Sequence, residues 1–111
     1  VSTRVTAATE FVVEDGIAMF PDAPTIRGAR HLLELRDAVS EGHRAAACFV
    51  IQRDDARVLR PYAEKDPVFA DTLAHVVGQG VEAYAIACTT TPEGTVPVRL
   101  VPIEITPGVF A

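Results

Sequence analysis

Asp22, Arg27, His31 and Glu34 are the residues whose types and spacing best suit chemistry. Arg27, His31 and Glu34 fall at i, i+4 and i+7, which sets a guanidinium, an imidazole and a carboxylate on one face of a helix. Asp22 stands at the start of the same segment. Such a set can run general acid–base chemistry or clasp a phosphate. An exposed helix face carries the same kind of charge ladder, so the pattern alone leaves both readings open. Gln52-Arg53 form a second candidate, at the end of the apolar run Ala45–Ile51. In α/β sheets, ligands bind outside the carboxyl ends of strands. A strand simply reaching solvent ends the same way.

Other chemistries find little support. His31, His43 and His75 lie on separate segments with no H-x-x-x-H spacing, so no zinc site is expected. The acidic pairs Glu14-Asp15 and Asp54-Asp55 fall in turns, where carboxylates are usually solvated. Mg²⁺ needs only one or two carboxylates and stays open on that ground alone. No glycine-rich phosphate loop is present. Ser2 and Ser40 are the only serines, and neither stands at a strand-to-helix elbow. Cys48 lies in an apolar run, which is a poor setting for a reactive thiolate.

The elements that would position these residues follow from punctuation and period. Residues 1–9 are small and polar and read as a frayed arm. Phe11-Val12-Val13, the turn Glu14-Asp15-Gly16 and Ile17–Phe20 read as a hairpin. Asp22 is the expected N-cap of a first helix over Pro24–Glu41, with Pro24 in its first turn and Gly42 just past its end. Gly28, Leu32, Leu35 and Val39 would form its buried stripe. Ala45–Ile51 is apolar on both faces and reads as a central strand. Residues 54–65 read as a polar loop. Asp66-Pro67 opens a second helix to Gly78, with Phe69, Leu73, Val76 and Val77 inward. Val81–Thr89 reads as a strand, and Val96–Val101 as an edge strand marked by Pro97 and Pro102. Val109-Phe110 reads as a tail that packs on a neighbour. The order β-β-α-β-α-β-β predicts an α/β fold: a mixed β-sheet flanked by two helices.

Composition sets the outer limits. The chain has 111 residues, enough for one domain with a real core. It is 49% apolar and 23% charged, which excludes a disordered chain. The net charge of −5 is the wrong sign for tight nucleic-acid binding without a local basic patch. Nine of the ten cations are Arg, and Lys65 is the only lysine. Cys48 and Cys88 stand forty positions apart in apolar runs, as buried free thiols of a reducing compartment would. No apolar stretch reaches membrane-spanning length, and the first residues lack a signal-peptide core. A cytoplasmic location is the expectation, with no membrane partner.

The run Val13–Gly28, reading Val-Glu-Asp-Gly-Ile-Ala-Met-Phe-Pro-Asp-Ala-Pro-Thr-Ile-Arg-Gly, resembles the sugar fermentation stimulation protein A (SfsA) family. His31-Leu32, Glu34-Leu35, Gly42–Ala45, Phe49–Ala56, Asp66-Pro67 and Gly80–Ala83 extend the resemblance. It implies a C-terminal domain similar to PD-(D/E)xK nucleases, without the family's N-terminal OB-like domain, so that residues 1–111 form one such domain. It also implies a DNA partner and, for active members, a Mg²⁺ cofactor. In those nucleases an acid-x-Lys motif helps hold the metal and activate water. The stretch expected to carry it here reads Thr6-Ala7-Ala8, and Lys65 has Ala63 two positions before it.

The expectation is therefore a nucleic-acid-associated regulatory module with a nuclease-like fold. Arg27, Gln52 and Arg53 would contact nucleic acid, with Asp22, His31 and Glu34 as the catalytic candidates. One competing reading is an active Mg²⁺-dependent nuclease with the metal between Asp22 and Glu34. Another is a structural domain forming a homo-oligomer through its edge strands.

Overall fold

The computed structural model describes residues 3–8, 12–106 and 109–110. Phe11, expected to open the first hairpin, lies outside them, as do residues 1, 2 and 9 of the expected arm. Strands β1 (Thr3–Ala8), β2 (Val12–Glu14) and β3 (Ile17–Phe20) lead to helix α1 (Ile26–Ser40). Then come β4 (Arg44–Ile51), β5 (Val58–Pro61), α2 (Pro67–Gly78), β6 (Glu82–Thr91), β7 (Gly94–Val101), β8 (Glu104–Thr106) and β9 (Val109–Phe110).

The α/β class stands, with two helices and more strands than the sequence shows at first reading. The main sheet has the order β1-β4-β6-β7. β1, β4 and β6 run parallel, and β7 closes one edge antiparallel to β6. β4 is thus internal and β7 is an edge, as their residue patterns imply. The supposed frayed arm is corrected: Thr3–Ala8 is the other edge strand, in register with Arg44–Phe49. Its sequence carries no hydrophobic period to read, and its place comes from pairing with β4.

The hairpin does not extend the main sheet. β2 and β3 pair antiparallel around Asp15 and Gly16, which take positive φ values of 52° and 79°. Both values suit a two-residue hairpin turn. β3 then pairs in parallel with β5, making a second, three-stranded sheet. β5 corrects the expected loop at 54–65. Val58-Leu59-Arg60-Pro61 is short and ends in proline, yet Leu59 and Pro61 point inward. β8 and β9 form a small ladder of their own, so Val109 and Phe110 pair within the chain.

The core lies between the main sheet and the helices. Ala45, Ala47, Phe49 and Ile51 of β4 meet Leu32, Leu35 and Ala38 of α1 and Phe69, Leu73 and Val76 of α2. Ala18, Leu59 and Ile105 join the same cluster from the smaller sheets, and Ile103 joins it from just before β8. The inward stripe of α1 is Ala29, Leu32, Leu35 and Ala38. It is rotated slightly from the expected Gly28–Val39 line, and Val39 packs at the core margin. Gly42, at φ 91°, ends the helix in the left-handed conformation that glycine tolerates.

Candidate functional site

The first helix begins later than Asp22 would place it. Thr25 is the N-cap: its Oγ1 accepts from the Gly28 N–H at 3.0 Å. Asp22 is exposed in the preceding segment, and Pro24 stands outside the helix. The same side-chain chemistry suits both Asp and Thr for capping, but Thr25 is the residue adjoining the first helical turn.

The two helix N-termini are tied together. Asp66 caps α2 by accepting from the Phe69 N–H at 2.9 Å. Its other carboxylate oxygen accepts from the Thr25 N–H at 2.8 Å. Asp66 is buried, at 7% exposure, and both of its oxygens are satisfied.

Beside this junction lies a cavity of about 300 Å³. Phe20, Phe49 and Phe69 supply apolar walls, Thr25, Arg27, Gly28 and His31 supply the cap and first two turns of α1, and Cys48 of β4 also lines it. The ring of Phe20 packs edge-on against Phe49, with centroids 5.6 Å apart, and against Phe69, at 5.0 Å. Gly28 permits the close approach of the helices here. A Cβ at that position would stand 2.8 Å from Thr25 Cγ2 and 3.2 Å from Phe69 Cε2.

Among the sequence candidates, Arg27 and His31 therefore come together at the cavity. Glu34 is one turn further along, is exposed, and does not line it; nor does Asp22. Gln52 and Arg53 are exposed beyond the carboxyl end of β4, as expected. Arg53 is engaged locally: its Nε and Nη2 donate to both oxygens of Asp55, at 3.0 and 2.6 Å. The facing guanidinium lowers the Asp55 carboxyl below its ordinary range and raises Arg53 in return. Sequence spacing gave no hint of Thr25 as a lining residue, or of the three phenylalanines, which come from β3, β4 and α2.

Among the described residues, no three His, Cys, Asp or Glu side chains gather where a metal ion would be held. Asp22 and Glu34 belong to no such group among the described residues. Among the described residues, no helix is long and apolar enough to cross a membrane. Cys48 and Cys88 are both free.

Comparison with known proteins bears on this arrangement. Residues 5–94 match the family model described as "Sugar fermentation stimulation protein RE domain". A sugar fermentation stimulation protein homolog of Symbiobacterium thermophilum is 56% identical over 89 residues, covering 76% of this chain and 36% of that protein. A homolog of Rhizobium rhizogenes is 44% identical over 101 residues, covering 91% of this chain and 40% of its own length. The structure of Pyrococcus furiosus SfsA in complex with Ca²⁺ superposes with a TM-score of 0.83 and 29% identity, over 90% of this chain and 44% of that one. The chain thus spans less than half the length of these relatives. With most of its residues inside the family model and relatives this similar, the chain belongs to the SfsA family.

Proposed function

We propose that this chain is a nucleic-acid-associated module that holds phosphate at the amino end of α1 and does not itself cleave it. The observation that carries this reading is the convergence of Arg27, His31, Thr25 and Gly28 on one cavity. The guanidinium supplies a planar, permanently charged fork for phosphate oxygens. The imidazole adds a donor, and the helix terminus adds a favourable field for an anion. Gln52 and Arg53 extend the contact from the end of β4. Arg53 would exchange its Asp55 partner for phosphate, so its net contribution is smaller than that of Arg27.

Two features argue against chemistry by these residues. The chain before the hairpin, through Thr6-Ala7-Ala8, offers neither an acid-x-Lys motif nor any lysine. Asp22 and Glu34 stand apart from the cavity. The Pyrococcus relative is described with Ca²⁺; among the described residues here no three His, Cys, Asp or Glu side chains gather to hold a metal ion, and no step is assigned to a metal. We place the role in the cytoplasm, in keeping with two free thiols.

Fluorescence anisotropy with end-labelled single- and double-stranded DNA at low salt tests the proposal. Wild-type protein should bind, and Arg27→Ala should weaken binding several-fold. Absence of wild-type binding would overturn the reading. So would Mg²⁺- or Mn²⁺-dependent cleavage that disappears in Asp22→Ala, which would establish a nuclease instead.

A further inference from the structure

The cavity beside α1 has a lining of two kinds. Arg27 is exposed and His31 half-buried, and neither makes a hydrogen bond or ion pair among the described residues. Arg44, Arg53 and Arg60, by contrast, are each held by a carboxylate. Thr25 accepts in its capping bond, so its hydroxyl hydrogen can still donate. Phe20, Phe49, Phe69 and Leu32 make the apolar part. Phe49 and Phe69 are buried, and Phe20, half-buried, is the ring within reach of a ligand. It meets both neighbours at steep angles, 62° and 66°, so neither lies flat on its faces.

This division selects a ligand with a phosphate at one end and a flat, weakly polar face at the other. A sugar phosphate suits the cationic part but would press its hydroxyls against phenylalanine, where each unpaired one is costly. A nucleobase presents a π-face that stacks on aromatic side chains whatever its identity. A cavity of about 300 Å³ is on the scale of one small ligand. A base inside a duplex has both faces covered, and must be unstacked at a cost before any pocket can take it. Charge argues the same way. At a net charge of −5, the chain gains from gripping a phosphate at Arg27 and His31 and loses from lying along a duplex backbone.

We propose that the cavity takes the base of an unpaired nucleotide, with the adjoining phosphate on Arg27 and His31, so that the nucleic-acid partner is single-stranded. This rests on the nucleic-acid reading above and narrows it: phosphate contacts alone do not tell a single strand from a duplex, and a base-filled cavity does. Phe20 is the stacking ring. The grip tolerates different bases, because stacking rather than edge hydrogen bonding holds them.

The test compares labelled DNA ligands of equal phosphate count by fluorescence anisotropy at one low salt concentration. Wild-type protein should bind a single strand about tenfold more tightly than a blunt-ended duplex or a strand of abasic sugar–phosphate units. Phe20→Leu keeps apolar bulk and removes the stacking face. It should bring single-strand affinity down to the abasic level and leave abasic affinity unchanged. A nucleoside monophosphate should displace the labelled strand at lower concentration than a sugar phosphate does. Equal affinity for normal and abasic strands would overturn the inference. So would duplex bound as tightly as single strand, or displacement by the sugar phosphate at the lower concentration. These measurements use wild-type protein and decide the matter even if Phe20→Leu fails to fold. In each of those outcomes, weaker binding by Arg27→Ala would leave the phosphate-holding reading standing, whereas no binding of any ligand would end both.

Discussion

The Asp66 carboxylate and the Thr25 N–H lie 41 residues apart in sequence and 2.8 Å apart in space. One buried side chain thereby caps α2 and fixes the residue that caps α1. Removing it leaves two backbone donors without their acceptor. Asp66→Ala should cost about 2–3 kcal/mol, from a lost cap and a second stranded donor. That corresponds to a Tm drop of roughly 8 °C or more. Asp66→Asn keeps one acceptor oxygen and should lose about half as much. Thermal unfolding followed by circular dichroism checks both; equal stability of Asp66→Ala and wild type would refute the bridging role.

Gly28→Ala sets two effects against each other. Alanine improves helix propensity by about 1 kcal/mol. The new methyl would press on Thr25, held as the N-cap, and on Phe69, which is only 2% exposed. Neither neighbour can give way easily, and overpacking costs about 1–3 kcal/mol. The net expectation is destabilisation, with ligand binding weakened further because the methyl enters the cavity wall. Urea unfolding and DNA titration on the same sample measure the two losses.

Arg44 donates to both carboxylate oxygens of Glu82, the Tyr84 hydroxyl donates to the same carboxylate, and this triad predicts a pH dependence. The Arg44 guanidinium, followed by the Tyr84 hydroxyl, lowers the Glu82 carboxyl below its ordinary 4.5. A lowered carboxyl stabilises the fold above its unfolded value, and that contribution disappears as pH falls through the folded value. The hydrogen bond to Glu82, and its charge, raise Tyr84 above its ordinary 10.0. That contribution is present below pH 10.0 and disappears as pH rises through the raised value. Glu82→Gln should therefore flatten the acid limb of a Tm–pH curve below pH 4.5 and soften the alkaline limb above pH 10.0. Unchanged limbs in the variant would remove this triad as their cause.

Arg27 and Glu34 share a helix face but not a site. Both are exposed, so truncating either should change stability by no more than about 0.5 kcal/mol. Arg27→Ala should weaken DNA binding several-fold and reduce its salt dependence by about one phosphate contact. Glu34→Ala should leave affinity equal or slightly higher, because it removes negative charge. Anisotropy titrations at several salt concentrations separate these outcomes.

Much of this arrangement was legible in the residues. Proline and aspartate placed α2 correctly, and the unbroken apolar run Ala45–Ile51 identified the internal strand. The misses have physical reasons. Thr25 and Asp22 are both competent caps, and local chemistry does not rank them. β1 has no hydrophobic period, while β5 has four residues, a charge and a terminal proline. Each is recruited by parallel pairing with a distant strand, β4 for one and β3 for the other. The spacing that put Arg27 with His31 survived intact, because helix geometry alone fixes it. The phenylalanine walls did not show, because their meeting depends on three separate elements.

Those walls also have a mechanical consequence. Phe20 belongs to the small sheet, Phe49 to the large one and Phe69 to α2. Their edge-on packing is a three-way keystone, and the cavity is the space immediately beside it. A tilt of the small sheet would turn Phe20 against both partners and alter the width of the opening next to Arg27. A pull on the hairpin is therefore a pull on the mouth of the cavity.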